Sequence, residues 1–221
     1  MHERKTFAQC GCFGLDALGF HGLRRCRCRE GRVKSPGDEA IFLQSTDRGK
    51  ASDTQSSQSK ILVAYFSCTG NTKSLAETAA KVLSADVYEI RPETPYTAAD
   101  LNYNDESTRA TVEQKNDNAR PALADKNANI EAYDTIVLAY PIWWGQAPRI
   151  LDTFVESYDF SGKTIVPICT SGGSDIGSSA DFLKGHTKGT ANWKNGKQFS
   201  KSASEQELRE WLNGSGFSSL K

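Results

Sequence analysis

The chain has 221 residues, of which 38% are hydrophobic and 24% charged, and its 27 basic side chains balance its 27 acidic ones. This length allows one α/β domain with an appended segment, and the zero net charge gives no reason to expect a nucleic acid partner. No apolar run is long enough to form a membrane-spanning helix, so we expect no transmembrane segment. The charge is uneven, since residues 1–59 carry a net +3 and residues 60–221 a net −3.

The first 59 residues show no periodicity of either a helix or a strand. They are rich in glycine and arginine, and residues 46–59 have the polar composition of a linker. We therefore predict that residues 1–59 are a disordered or non-native extension with a linker. A metal site formed by Cys10, Cys12, Cys26 and Cys28 is the alternative, but each pair is spaced more closely than structural zinc sites prefer.

Only two of the six cysteines, Cys68 and Cys169, lie beyond residue 59. Two isolated cysteines in a body of this size are typical of reduced thiols rather than of a disulfide framework. The sequence therefore predicts a cytoplasmic protein. Export is the alternative, if the N-terminal extension replaces or hides a signal.

From residue 60 onward, strand and helix patterns alternate along the chain. Continuous apolar runs predict buried strands, whereas apolar residues three and four apart predict helices. The predicted strands are 61–66, 86–90, 135–140 and 164–168, with a fifth at 192–193 or 198–199. The predicted helices begin near residues 73, 105, 150, 178 and 204. This alternation predicts a parallel sheet with helices on both faces, in a domain spanning residues 60–216.

The segment 92–129 separates the second and third predicted strands and is longer than an ordinary connection. We expect an elaborated surface segment there. Two interpretations of its Tyr96, Tyr103 and Arg109 stay open. In the first, these residues cover a bound ligand or contact a partner. In the second, they only pack on the surface.

The most informative motif directly follows the first predicted strand. Ser67-Cys68-Thr69-Gly70-Asn71-Thr72 leads from that strand into the first predicted helix. Hydroxyl and amide side chains, exposed backbone N–H groups and the positive end of a helix dipole then surround one point. The motif therefore predicts a phosphate site.

Two further unusual loops follow the third and fourth strands. Pro141-Ile142-Trp143-Trp144-Gly145 offers large aromatic faces, and Thr170-Ser171-Gly172-Gly173-Ser174 offers spare backbone donors. In a parallel sheet all three loops lie at the carboxyl edge, where such folds bind their ligands. Together they suit a ligand with a phosphate at one end and a flat ring system at the other, which is the shape of flavin mononucleotide (FMN).

Other phosphate-binding motifs do not match these residues. A nucleotide P-loop requires glycine immediately before Lys73, where Thr72 stands. A tyrosine-phosphatase loop requires arginine six residues after Cys68, where Ser74 stands, and a dinucleotide fingerprint requires two glycines besides Gly70. Because His186 is the only histidine beyond residue 59, we expect no metal site in the body.

In these residues the chain resembles the flavodoxin family. Ser67-x-Thr69-Gly70-Asn71-Thr72 is similar to the family's FMN-phosphate motif, and Trp144-Gly145 resembles the loop that covers one face of the flavin ring. Thr170-Ser171-Gly172-Gly173 lies where the family's second ring-binding loop is found. The resemblance implies a flavodoxin-like α/β fold with a doubly wound five-stranded parallel sheet, non-covalent FMN and a redox function.

The resemblance also assigns roles to individual residues. Trp144 is the first choice for stacking on the ring and Trp143 the second. Gly145 would be free to reorient its peptide when the flavin ring gains a proton, because glycine tolerates both conformers. Cys68 is expected to fill a tight turn and Cys169 to be buried in a strand. The expected cofactor-binding residues are Ser67, Thr69, Gly70, Asn71 and Thr72 at the phosphate, and Pro141, Trp143, Trp144, Gly145, Thr170, Ser171, Gly172 and Gly173 at the ring.

Three functions stay open at this stage. The first is an electron carrier between redox partner proteins. The second is an FMN-dependent NAD(P)H:quinone-type reductase that passes electrons to a small-molecule acceptor. The third is a non-redox module for another phosphorylated ligand. Many flavodoxins have a tyrosine in the second ring loop and are strongly acidic, whereas this chain has Ser171-Gly172-Gly173 and a mild charge, which leaves room for a substrate.

Overall fold

The computed structural model describes residues 60–215. The predicted extension at residues 1–59, with its alternative metal site at Cys10, Cys12, Cys26 and Cys28, lies outside the described residues. Everything that follows concerns the described part of the chain. None of its helices is long and apolar enough to cross a lipid bilayer.

The sheet has five strand positions, and its named strands all pair in parallel. The strands are β1 (Ile61–Tyr65), β2 (Asp86–Glu89), β3 (Thr135–Pro141), β4 (Thr164–Thr170), β5 (Asn192–Trp193) and β6 (Lys197–Phe199). Their order is β2-β1-β3-β4-β5, and β6 also pairs with β4. This is the five-stranded doubly wound sheet that the sequence predicted.

The fifth position is shared by two short strands, so both candidates for the last strand are correct. β5 pairs with Thr164–Ile165 and β6 with Ile168–Thr170, and the register advances by one residue between them. The interruption between β5 and β6 lies opposite Pro167 of β4, which has no N–H to donate to the fifth strand position. A Cβ on Gly196 would lie 2.6 Å from the Pro167 carbonyl oxygen, so only glycine allows this close approach.

Five α-helices connect the strands. They are α1 (Asn71–Leu83), α2 (Arg109–Lys115), α3 (Ile150–Ser157), α4 (Ser179–His186) and α5 (Glu205–Gly214), with a 3-10 turn at Ile130–Ala132. The Ser204 hydroxyl accepts a bond from the Glu207 N–H at 3.1 Å and so caps α5, which begins where the sequence predicted a helix. Helix α2 begins at Arg109 rather than near residue 105, because the Asp105 side chain accepts bonds from Ser107 and holds a turn there.

Each face of the sheet carries its own apolar layer. One layer packs α1 and α5 against alternate strand residues such as Val63, Val137 and Val166. The other packs α3 and α4 against the intervening residues, among them Leu62 and Leu138. Both faces of the central strands are therefore buried, which explains why their sequences read as continuous apolar runs.

A buried ionic cluster ties the segment 92–129 to helices α3 and α4. The Arg149 side chain is only 4% exposed; its Nη2 donates to the Gln114 carbonyl at 3.0 Å, and its Nη1 lies 3.6 Å from Asp152 Oδ2. Asp152 is fully buried, and its Oδ1 lies 2.9 Å from His186 Nδ1. Arg149 also pairs with Asp117. The long segment is mostly exposed, and these contacts anchor it beside the start of α3.

We expect Asp152→Ala to destabilise the domain by roughly 2–3 kcal/mol, because it removes the buried partner of both Arg149 and His186. The loss is limited because Arg149 keeps its contact with Asp117. Urea unfolding would measure the change in the free energy of unfolding. Asp181→Ala on the exposed surface of α4 is the matched control and should cost less than about 1 kcal/mol. Equal losses in the two variants would contradict a stabilising role for the buried cluster.

Candidate functional site

A cavity of about 650 Å³ opens at the carboxyl edge of the sheet, beyond the ends of β1, β3 and β4. Ten of the thirteen residues expected at the site line this cavity. They are Ser67, Thr69, Asn71, Thr72, Pro141, Trp143, Thr170, Ser171, Gly172 and Gly173. The fold therefore brings together residues that lie more than one hundred positions apart in the sequence. Gly70, Trp144 and Gly145 are not part of the cavity wall.

The loop after β1, which leads into α1, is held in shape by hydrogen bonds between its own residues. Gly70 precedes the helix with a φ of 85°, a left-handed conformation that glycine adopts without strain. Its N–H donates to the Ser67 hydroxyl at 3.1 Å, and the Asn71 side-chain amide donates to the Thr69 hydroxyl at 3.3 Å. The first turn of α1 contains no acidic residue. Gly70 thus shapes the loop without lining the cavity, and the loop can hold an anion.

A hydroxyl pair joins this loop to the end of β4. Thr72 is buried in the first turn of α1, and its Oγ1 lies 2.8 Å from Thr170 Oγ1. The loops after β3 and β4 are joined as well, since the Ile142 N–H donates to the Thr170 carbonyl at 2.9 Å. Hydrogen bonds therefore join three loops that are distant in sequence into one wall.

The loop after β3 makes a tight turn with an unusual backbone. The N–H groups of Trp143 and Gln146 each donate to the other's carbonyl at 2.9 Å, which closes a two-residue turn over Trp144 and Gly145. Both central residues have positive φ, 47° at Trp144 and 78° at Gly145, as a type I′ turn requires. Glycine adopts this conformation without strain, but for tryptophan it costs roughly 1–2 kcal/mol of conformational free energy. Backbone strain of this kind is common at ligand-binding loops.

The two neighbouring tryptophans have different environments. Trp143 is 4% exposed and packs edge-on against Phe66 and Tyr96, with ring centroids 5.6 Å and 5.4 Å away. Trp144 is 42% exposed, and its ring centroid lies 4.8 Å from that of Tyr103, a residue of the cavity wall. Trp143 is therefore a fixed inner wall, whereas Trp144 lies at the rim with much of its surface open to solvent.

The segment 92–129 and the loop after β6 supply wall residues that the sequence analysis did not assign to the site. Leu101 and Tyr103 come from the segment, and Gln198, Ser200 and Lys201 from β6 and the residues that follow it. Tyr103 was one of three aromatic or basic candidates in the segment, and its ring is 57% exposed. The rule that ligands bind at the carboxyl edge could have identified the residues after β6, had the position of that strand been certain.

The other two candidates of that segment, Tyr96 and Arg109, do not line the cavity but pack behind its wall. The Arg109 guanidinium lies 4.1 Å from the centroid of the Tyr96 ring, and the Tyr96 hydroxyl donates to Glu113. Tyr96 in turn packs against Trp143. These residues therefore support the aromatic wall from outside the cavity.

Of the two thiols of the described residues, that of Cys68 is partly buried at the cavity wall and that of Cys169 is fully buried. Burial raises the pKa of the Cys68 thiol to about 12, against a smaller lowering by the positive charge of Arg109. Burial likewise raises the pKa of Cys169, in β4, to about 12. A thiol with this pKa is protonated at neutral pH and is a poor nucleophile. This agrees with Cys68 as a space-filling residue of the turn.

The fold and the cavity define a class of protein. A doubly wound sheet with a loop at the start of α1 that can hold an anion, and with an aromatic loop after the neighbouring strand, can accommodate a phosphorylated ligand with a flat ring. The sequence model of the flavodoxins matches residues 60–215. The chain belongs to the flavodoxin family.

Solved structures resemble this chain over most of its described residues. Two are crystal structures of candidate flavoproteins, from Bacteroides eggerthii (45% identity, TM-score 0.67) and Bacteroides uniformis (42% identity, TM-score 0.67). The alignments cover 72% and 70% of this chain and 98% of each of those chains. A flavoprotein from Lactobacillus acidophilus in complex with FMN shares the fold at 19% identity, with a TM-score of 0.50 over 69% of this chain and 98% of its own. None of the curated proteins matches.

We expect Cys68 to react slowly with iodoacetamide in the folded protein at pH 7.5, because burial keeps its thiol protonated. Peptide mass spectrometry of the labelled chain would compare the Cys68 peptide before and after unfolding in urea. Labelling should be at least about tenfold slower in the folded state. Equally fast labelling in both states would contradict the protonated, buried thiol.

Proposed function

We propose that residues 60–215 bind FMN non-covalently and transfer electrons through it. This proposal rests on three loops that meet at one cavity. They are the phosphate-type loop (residues 67–72), the tryptophan loop (residues 141–145) and the glycine loop (residues 170–174). The cavity, at about 650 Å³, lies in the size range of sites for ligands of this kind. Bound FMN would supply the redox chemistry, and the protein would bind and orient it.

The residues at the start of α1 fit a phosphate group. Ser67, Thr69 and Thr72 present hydroxyl groups, and the N-terminus of α1 adds backbone donors and a positive dipole end. Among residues 60–215, no acidic side chain lines the cavity to repel an anion. We therefore assign Ser67, Thr69, Gly70, Asn71 and Thr72 to the phosphate, with Gly70 acting through the shape of the loop.

The other two loops fit a flat ring. Pro141 and Trp143 form one wall of the cavity, and Thr170–Gly173 form another. Trp144 becomes the stacking residue if its exposed ring turns from Tyr103 toward the cavity. Gly145, with open space around its Cα and a positive φ, gives the turn the freedom that this movement requires.

Two redox functions are compatible with this site. A carrier that exchanges electrons with partner proteins is our first proposal, because the exposed aromatic rim formed by Tyr103 and Trp144 can contact a protein surface. An FMN-dependent NAD(P)H:quinone-type reductase is the second, favoured by the small side chains of Ser171-Gly172-Gly173, which leave space for a substrate beside the ring. We propose a cytoplasmic location for either function, since the two cysteines of residues 60–215 are unpaired thiols.

We expect the purified protein to be yellow and to release one equivalent of FMN on acid precipitation. Thin-layer chromatography or mass spectrometry of the supernatant would identify the flavin. Reconstitution of the stripped protein with FMN should restore the flavin spectrum. A colourless protein that FMN does not reconstitute would contradict the proposal and favour a non-redox module for another phosphorylated ligand.

Steady-state kinetics with NADH or NADPH and a quinone would separate the two redox functions. Oxidation of either nucleotide at a rate that depends on bound FMN favours the reductase. If the FMN-loaded protein oxidises neither nucleotide but is reduced by photochemistry and reoxidised by an electron-accepting protein, the carrier is favoured.

We expect Trp144→Ala to weaken FMN binding by about ten- to a hundredfold, because stacking of a ring on an aromatic side chain contributes roughly 1–3 kcal/mol. Trp144→Phe is the matched control and should keep most of the affinity. Flavin fluorescence titration would measure both dissociation constants, and riboflavin should lose as much affinity as FMN because stacking does not involve the phosphate. If Trp144→Ala binds FMN as tightly as the wild type, Trp144 is not the stacking residue and Trp143 takes its place in the proposal.

A further inference from the structure

The wall of the cavity contains a single charged side chain. Its residues carry hydroxyl, amide, aromatic, aliphatic and thiol groups, and the one exception is Lys201. Aspartate, glutamate and arginine are absent from the wall as described within residues 60–215. The only formal charge that the described wall contributes is therefore positive.

Lys201 lies beyond the end of β6, in the segment that leads to α5. Phe199 ends β6 opposite Thr170 in β4, and Thr170 contacts Thr72 at the start of α1. These contacts form a row across the edge of the sheet that runs from the phosphate-type loop to the residues just before Lys201. Ala203, two residues later, packs in the apolar layer that contains α1. The residues on either side of Lys201, Phe199 and Ala203, therefore pack on the α1 side of the sheet, which is the side of the loop after β1.

Within residues 60–215, no neighbouring acidic side chain neutralises Lys201. In the described part of the chain, Lys201 forms no ion pair. The acids nearest in sequence, Glu205 and Glu207, pair with Lys81 and Lys197 instead. An exposed lysine at the wall of a cavity that is otherwise neutral can direct its ammonium group toward an anion.

We propose that Lys201 binds the phosphate group of the ligand and makes the site selective for FMN over riboflavin. This inference rests on the proposed function. The hydroxyl groups and backbone N–H groups of the loop after β1 hold the phosphate through uncharged donors, and Lys201 adds a positive charge that offsets part of the negative charge of the phosphate. Because riboflavin has the same ring without the phosphate, Lys201 contributes nothing to its binding.

The test compares two ligands in two variants. Flavin fluorescence titration of the stripped full-length protein would give dissociation constants for FMN and riboflavin in the wild type, in Lys201→Gln and in Lys194→Gln. Lys194 is the matched control, because it is exposed, lies just beyond β5 and is not part of the cavity wall. Lys201→Gln should weaken FMN binding about tenfold, the equivalent of roughly 1.4 kcal/mol, and leave riboflavin binding unchanged.

The salt dependence provides a second measurement. FMN binding to the wild type should weaken between low and physiological ionic strength, and this dependence should be smaller in Lys201→Gln and unchanged in Lys194→Gln. An equal loss of affinity for FMN and riboflavin would place Lys201 at the ring and overturn the phosphate role. No loss for either flavin would also overturn it. A wild type that binds neither flavin would overturn the proposed function itself, and the role of Lys201 with it.

Discussion

The parallel pairing of β1, β3 and β4 is the constraint on which the site depends. Parallel strands end at the same edge, so the three loops that follow these strands meet there regardless of their distance along the chain. The bond between the hydroxyl groups of Thr72 and Thr170 then fixes the start of α1 against the end of β4. Because the cavity forms between these loops, a change in strand register would move their functional groups out of reach of one another.

The tryptophan loop carries backbone strain, and its surroundings hold it in place. Trp144 has a left-handed backbone, and the chain enters α3 only five residues later, at Arg149 and Ile150. On that side, Arg149 and Asp152 are buried, and the Gln114 side-chain amide donates to the Ala147 carbonyl at 3.0 Å. The segment 92–129 thus has two roles. It supplies Leu101 and Tyr103 to the cavity wall, and it anchors the residues that follow the strained turn.

The electrostatics of the site are unusually simple. A wall of neutral groups with one lysine discriminates between ligands by the position of their negative charge rather than by total charge. In the proposed arrangement, the neutral aromatic and glycine-rich surfaces bind the ring. The N-terminus of α1 and Lys201 bind the phosphate.

The sequence by itself determined the sheet, the order of its elements and ten of the residues that line the cavity, because buried parallel strands and Ser67–Thr72 carry local signals that tertiary contacts do not change. It did not determine the start of α2, where a side-chain turn at Asp105 replaces the first helical turn, or that two short strands share the fifth position around Pro167 and Gly196. Lys201 has no local signal, and the sequence left open whether Tyr103 covers a ligand or only packs on the surface. Only tertiary structure brings them to the cavity, because an insertion and a loop after an interrupted strand are positioned by packing rather than by periodicity.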